Sequence, residues 1–223
     1  MCSASIAGAG QMKILIALCS CGLSLALSAQ TTLHTFTSPD GVFQFKYSSV
    51  LVLCTPERTE EGYPGSWAPA DTCSSQAGLC DPDAGGFATT IACFAYPRDN
   101  FKDKPTFPAA AFFVAEVRAA TTEKACLEGS RYWNIESVER AKITKINGVA
   151  FRVFEIEDNW LGGGQAGPVY RTFHGKTCYE LGTQTTISRG GYDPGTIKEF
   201  TKEDYDQVQR HLKQALNSFR FVK

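Results

Sequence analysis

The chain lacks a block of charge of either sign: 22 Lys and Arg stand against 23 Asp and Glu, and the two signs are interspersed, for a formal charge of -1. A protein that grips a phosphate backbone displaces counterions with clustered cations, so a nucleic acid is not an expected partner. The chain also lacks a GxSxG nucleophile elbow, and beyond residue 30 it lacks any CxxC pair. The first absence removes the simplest signature of an α/β-hydrolase and the second argues against thioredoxin-type dithiol chemistry. No apolar run reaches the roughly 20 residues that a membrane-spanning helix needs.

The longest uncharged apolar stretch runs from Ile14 to Leu27, behind Lys13 and ahead of the small residues Ser28 and Ala29. A positive start, a short apolar segment and a small-residue exit describe a secretory signal peptide, expected over residues 1–29 with cleavage near Ala29. Residues 1–11 carry no charge, which makes Met12 a second candidate start. The run Leu18-Cys19-Ser20-Cys21 offers an alternative, lipid anchoring at Cys21, but it would strand the apolar Gly22 to Ser28 in the mature protein. The reading is therefore a secreted or periplasmic protein with one domain over 30–223, no membrane span once the leader is gone, and a cysteine-containing insertion at 55–87.

Three of the nine cysteines fall in the leader, leaving Cys54, Cys73, Cys80, Cys93, Cys126 and Cys178. An even set in an oxidising compartment implies disulfides, and six cysteines allow 15 connectivities. The preferred set pairs Cys73 with Cys80, Cys54 with Cys93, and Cys126 with Cys178. On the chain-entropy model the first would contribute roughly 2.5 kcal/mol and the last about 4 kcal/mol.

The organising stretch is Ala141 to Asp158, where two apolar-rich runs flank Asn147-Gly148. Asn-Gly accepts positive φ at both central turn positions, so a type I′ hairpin is expected. Counting outward pairs Ile146 with Val149, Thr144 with Phe151 and Lys142 with Val153. A second hairpin is expected around Gly175-Lys176 as a type II′ turn, with Phe173 opposite Cys178 and Arg171 opposite Glu180. Upstream, Leu33–Thr37 and Val42–Tyr47 flank the turn Ser38-Pro39-Asp40-Gly41, with Phe43, Phe45 and Tyr47 on one face. Val50–Leu53, Ala88–Tyr96 and Ala109–Arg118 read as further strands. The aliphatic-poor stretch from Thr55 to Gly86 reads as a disulfide-pinned loop. Helices are expected near Thr121–Glu128 and, capped by Thr201, through Ser218, where Tyr205, Val208, Leu212 and Ala215 or Leu216 recur at helical spacing. The tail Phe219-Arg220-Phe221 alternates as a last strand. The sum is an α+β fold: an antiparallel meander sheet flanked by helices in an α/β/α sandwich, stabilised by disulfides.

The run from Ser38 to Tyr47, the turn Ile146-Asn147-Gly148 and the closing Leu216-Asn217-Ser218-Phe219-Arg220-Phe221 resemble the PsbP-like family. The resemblance covers most of the mature chain in outline and implies a binding or accessory role rather than catalysis. The insertion from Cys54 to Cys93 departs from that family's pattern, and no binding residue carries over.

Candidate chemistry is sparse. Gly162 to Gly167 matches GxGxxG, but the dinucleotide motif needs a helix after the glycines, and Val169 to Phe173 reads as strand. It is read as a flexible loop. His174 and Cys178 suggest a thiol and its base, yet the hairpin count sends them to opposite faces. Cys73 and Cys80 beside Asp81 and Asp83 complete neither a zinc nor a calcium pattern. Glu155 and Glu157 share a strand face, as a solvated face would require. No catalytic, cofactor or metal residue is assigned. Tyr63, Trp67 and Trp160 are aromatics in polar loops and mark a possible binding surface. The expected function is a secreted, non-catalytic binding or accessory domain for a protein or small ligand outside the cytoplasm; the alternative is a small secreted hydrolase whose groups converge from distant positions.

Overall fold

Asn147 and Gly148 take φ of 47° and 85°, the type I′ geometry that Asn-Gly favours. The strands they join pair Ile146 with Val149, Thr144 with Phe151 and Lys142 with Val153, as the count from the turn requires. The protein is described here by a computed structural model covering residues 32–58, 64–68, 73, 79–80, 88–107, 109–128, 141–160, 163–188, 195 and 197–222. The leader expected over 1–29 lies outside the described residues.

In chain order the elements are β1 (Leu33–Thr37), β2 (Phe43–Ser48), β3 (Val52–Arg58), β4 (Pro64–Ala68), β5 (Thr89–Ala95), β6 (Ala109–Glu116), α1 (Glu123–Glu128), β7 (Lys142–Ile146), β8 (Val149–Trp160), β9 (Gly163–His174), β10 (Thr177–Ser188), α2 (Lys202–Ser218) and β11 (Arg220–Phe221). An eight-stranded antiparallel sheet runs β4-β3-β5-β6-β10-β9-β8-β7, and a three-stranded sheet runs β1-β2-β11. The fold is α+β, with the meander β7-β8-β9-β10 forming half of the large sheet.

Strand alternation sorts the side chains of the large sheet into two layers. Phe94, Phe112, Val114, Phe151, Tyr179 and Leu181 face the small sheet and α2, where they meet Phe43, Phe45, Val208, Leu212 and Phe219. Phe45 sits 4.9 Å from Phe112 and 5.2 Å from Phe94, both edge-on. Burying each such side chain stabilises by about 1.5–3 kcal/mol, so this layer is the main core. The other face carries Cys93, Ala111, Phe113, Phe154 and Val169 against the cysteine-bearing insertion, and Cys178 and Phe173 against α1. With both faces covered, β6 is apolar and buried from Ala109 to Ala115, which is why periodicity alone left it ambiguous.

Thr201 caps α2 as expected. Its hydroxyl accepts from the Asp204 backbone N–H while the Asp204 carboxylate accepts from the Thr201 backbone, a reciprocal capping box. Val208, Leu212, Ala215 and Leu216 form the buried face.

Four sequence expectations are corrected. Gly175 and Lys176 both have positive φ, 56° and 72°, so the second turn is type I′, not II′; a II′ turn needs positive φ only at Gly175, and here Lys176 takes it as well. The register of that hairpin stands, with Phe173 opposite Cys178 and Arg171 opposite Glu180. The glycine run is strand rather than flexible loop, since Gly163, Gly164 and Gly167 pair with Trp160, Asn159 and Ile156 of β8. Glycine is needed at 167, where φ is 144° and a Cβ would strike the Thr183 carbonyl. Part of the stretch read as a loop is a hairpin, β3 with β4. The disulfides are Cys54–Cys73, Cys80–Cys93 and Cys126–Cys178, with Cα separations of 5.7, 5.6 and 5.4 Å. Only the last matches the preferred set. Cys54 and Cys93 do stand opposite each other on β3 and β5, but each bonds outward to the insertion, tying it to the sheet at two points.

Candidate binding site

The outer face of the small sheet is built by alternation. Phe43 and Phe45 turn inward to the core, so Gln44 and Lys46 of β2 turn outward. Thr35 of β1 lies opposite Lys46, and Arg220 of β11 lies opposite Gln44. Continuing the β2–β11 register places Ser218, the last residue of α2, opposite Lys46. Its hydroxyl there accepts from the Lys46 N–H at 2.7 Å and lies 2.9 Å from the Lys46 carbonyl oxygen, extending the ladder one residue into the helix end.

Asn147 closes the hollow from the large sheet. Its side-chain amide donates to the carbonyls of Asn217 at 3.0 Å and Phe219 at 2.8 Å, groups that the end of α2 would otherwise leave without a partner. The residue that sets the first hairpin turn thus also clamps the end of the last helix. Thr35, Gln44, Phe45, Lys46, Asn147, Ser218 and Arg220 line a depression of about 290 Å³.

The electrostatics of this hollow are one-sided. With its amide oxygen turned to Arg220, Gln44 accepts from Nη2 and Nε at 2.5 and 2.6 Å. Lys46 and Arg220 are both exposed, and among the described residues neither has a carboxylate partner. Diagonal neighbours on paired strands stand about 7–8 Å apart, close enough for two cations to address one ligand.

The residues singled out from the sequence are held elsewhere. Cys178 is bonded to Cys126, and His174 stacks on Phe221 with ring centroids 3.8 Å apart. They do face opposite ways. Arg171 and Glu180 form an ion pair at 2.8 Å with side chains 2% and 0% exposed, and Phe154 lies 5.5 Å from the guanidinium carbon. Glu155 and Glu157 are exposed. Burial, and then the charge of Glu155, pushes the hydroxyls of Tyr170 and Tyr205 above the ordinary tyrosine value. His211 lies against Tyr96, where burial and then Arg210 lower its imidazole. Among the described residues no three His, Cys, Asp or Glu side chains gather into a metal-binding group, and no helix is long and apolar enough to cross a membrane.

Tyr63 lies outside the described residues, as do the side chains of Trp67 and Trp160. The backbone places Trp67 on β4 at one edge of the large sheet and Trp160 on β8, with five strands between. The sequence reading did not single out Lys46, Gln44 and Arg220. Their outward orientation is legible in the alternation of β2 and of the tail, but their meeting depends on strand pairing across most of the chain.

No family model matches the chain, and no curated protein does. Among solved structures it is similar to a protein of Bacteroides thetaiotaomicron at 13% identity and a TM-score of 0.42, over 85% of this chain and 48% of that one. The chain thus spans about half the length of that protein. It is also similar to the cyanobacterial PsbP, CyanoP, of Synechocystis sp. PCC 6803, at 10% identity and a TM-score of 0.38, over 89% of this chain and 98% of the other.

Proposed function

We propose that this protein is an exported, non-catalytic binding or accessory domain, and that the hollow on the outer face of the small sheet is its recognition site. The observation that carries the reading is the pairing there of Lys46 and Arg220, two exposed cations with no carboxylate partner among the described residues. Cations that serve only solubility are usually interspersed with acids; two that share one hollow, with one guanidinium fixed by Gln44, form a complementary surface. The one thiol-and-base pair that the sequence offered is committed to structure, Cys178 to a disulfide and His174 to a ring stack. Three buried disulfides and the leader-like N-terminus support a site of action outside the cytoplasm, where such bonds persist.

The reading is tested with exported protein on two arms. A panel of ester, glycoside, phosphate and peptide substrates is expected to give no turnover. Immobilised protein is expected to retain a component of the native envelope or culture fluid that the Lys46→Ala/Arg220→Ala variant releases. Turnover abolished by Glu155→Gln or His174→Ala would replace the binding reading with the hydrolase one.

A further inference from the structure

Resting on the binding reading above, we infer that the hollow takes a small soluble oxyanion, a carboxylate or phosphate group. A guanidinium has five N–H donors in a fixed fork. Gln44 occupies two of its nitrogens, Nε and Nη2, which sets the plane of the group and leaves donors on its outer edge for a planar or tetrahedral oxyanion. Lys46 supplies a second charge from the diagonal position, and the Thr35 hydroxyl lies across from it on β1.

The rest of the lining is already spent. The Asn147 amide hydrogens go to Asn217 and Phe219, and Ser218 bonds the Lys46 backbone. These two residues hold the floor rigid, and the donors left over are cationic or hydroxyl, which selects for negative charge. A volume of about 290 Å³ lies at the small end of ligand sites, so the occupant is a small molecule rather than a polymer segment. A lipid surface fits less well, because two basic residues raise partition onto an anionic bilayer only about thirty-fold.

The test uses the whole mature chain with its disulfides intact, titrated with citrate and with inorganic phosphate by calorimetry at low ionic strength. Binding of at least one probe is expected, and Lys46→Gln and Arg220→Gln are each expected to weaken it by about tenfold or more, the loss of one charge-assisted hydrogen bond. Gln44→Leu keeps both charges and is expected to weaken it less, through a mispositioned Arg220. Lys124→Gln, on α1, serves as the control for loss of net charge and is expected to change nothing; circular dichroism confirms folding of each variant. Binding that survives both cation variants overturns the proposal. So does absence of heat with either probe up to about 10 mM; if the Lys46→Ala/Arg220→Ala variant still loses its captured partner, only the oxyanion class fails and the binding reading stands. Co-sedimentation with phosphatidylglycerol vesicles while both soluble anions stay inert also overturns it, in favour of a headgroup.

Discussion

Arg171 and Glu180 were legible as cross-strand partners by counting from Gly175-Lys176, and they do pair at 2.8 Å. That the pair is almost fully buried was not legible. Burial depends on what packs on that face of the large sheet, and the hairpin count does not give the ring of Phe154, from the neighbouring strand β8, that lies against the guanidinium. A buried ion pair adds little over a well-packed apolar pair, but breaking it strands a charge. Glu180→Gln is therefore expected to destabilise by about 3–5 kcal/mol in urea unfolding, whereas Arg171→Met/Glu180→Leu costs less than the single change. Additive losses would contradict this account of the pair. Asn147 gives the same lesson. Its turn conformation follows from residue type, while its clamp on Asn217 and Phe219 required the end of α2 to be brought to it.

Among the elements, α2 was the most legible, because its cap, its apolar stripe and its stop all lie within one local stretch. The β4 strand was the least. An edge strand needs only ladder hydrogen bonds, so a segment without aliphatic residues can pair with β3 and still read as loop. What anchors the start of α2 also lies outside its own sequence. Lys104, from the connection after β5, forms an ion pair with Asp204, Lys198 pairs with Asp103 at 2.8 Å, and Phe200 packs on Phe107 with ring centroids 4.7 Å apart. Burial by itself would raise the Asp204 carboxyl; the hydrogen bonds from Lys104 and Thr201 outweigh it and hold it below its ordinary value of 3.8. A carboxyl that titrates lower when folded than when unfolded contributes stability that is present above the unfolded value and lost as pH falls through the folded one. The denaturation midpoint of the wild type is expected to drop as pH falls below about 3.8, and that of Asp204→Asn to change less over the same window. Equal slopes would remove Asp204 from the acid-sensitive set.

At the scale of the molecule, the sequence carried the α+β class, the meander and the helix over it, since each follows from local periodicity and turn chemistry. It did not carry the split into two sheets or the pairing of β11 with β2, which brings strands far apart in the chain side by side and creates the outer face where Lys46 and Arg220 meet. The cysteine pairing was likewise beyond it. Cys54 and Cys93 face each other across β3 and β5, yet Cys54 bonds to Cys73 and Cys93 to Cys80. Peptide mapping without reduction is expected to recover Cys54–Cys73, Cys80–Cys93 and Cys126–Cys178; a Cys73–Cys80 peptide would contradict the fold of that layer. Recognition of ligand on the small sheet's outer face is read from amide chemical shifts of labelled protein during a citrate or phosphate titration. Saturable shifts are expected, confined to Thr35, Gln44, Lys46, Asn147, Ser218, Arg220 and their chain neighbours. Shifts gathered instead around Glu155, Tyr170 and Tyr205, with that face silent, would contradict it.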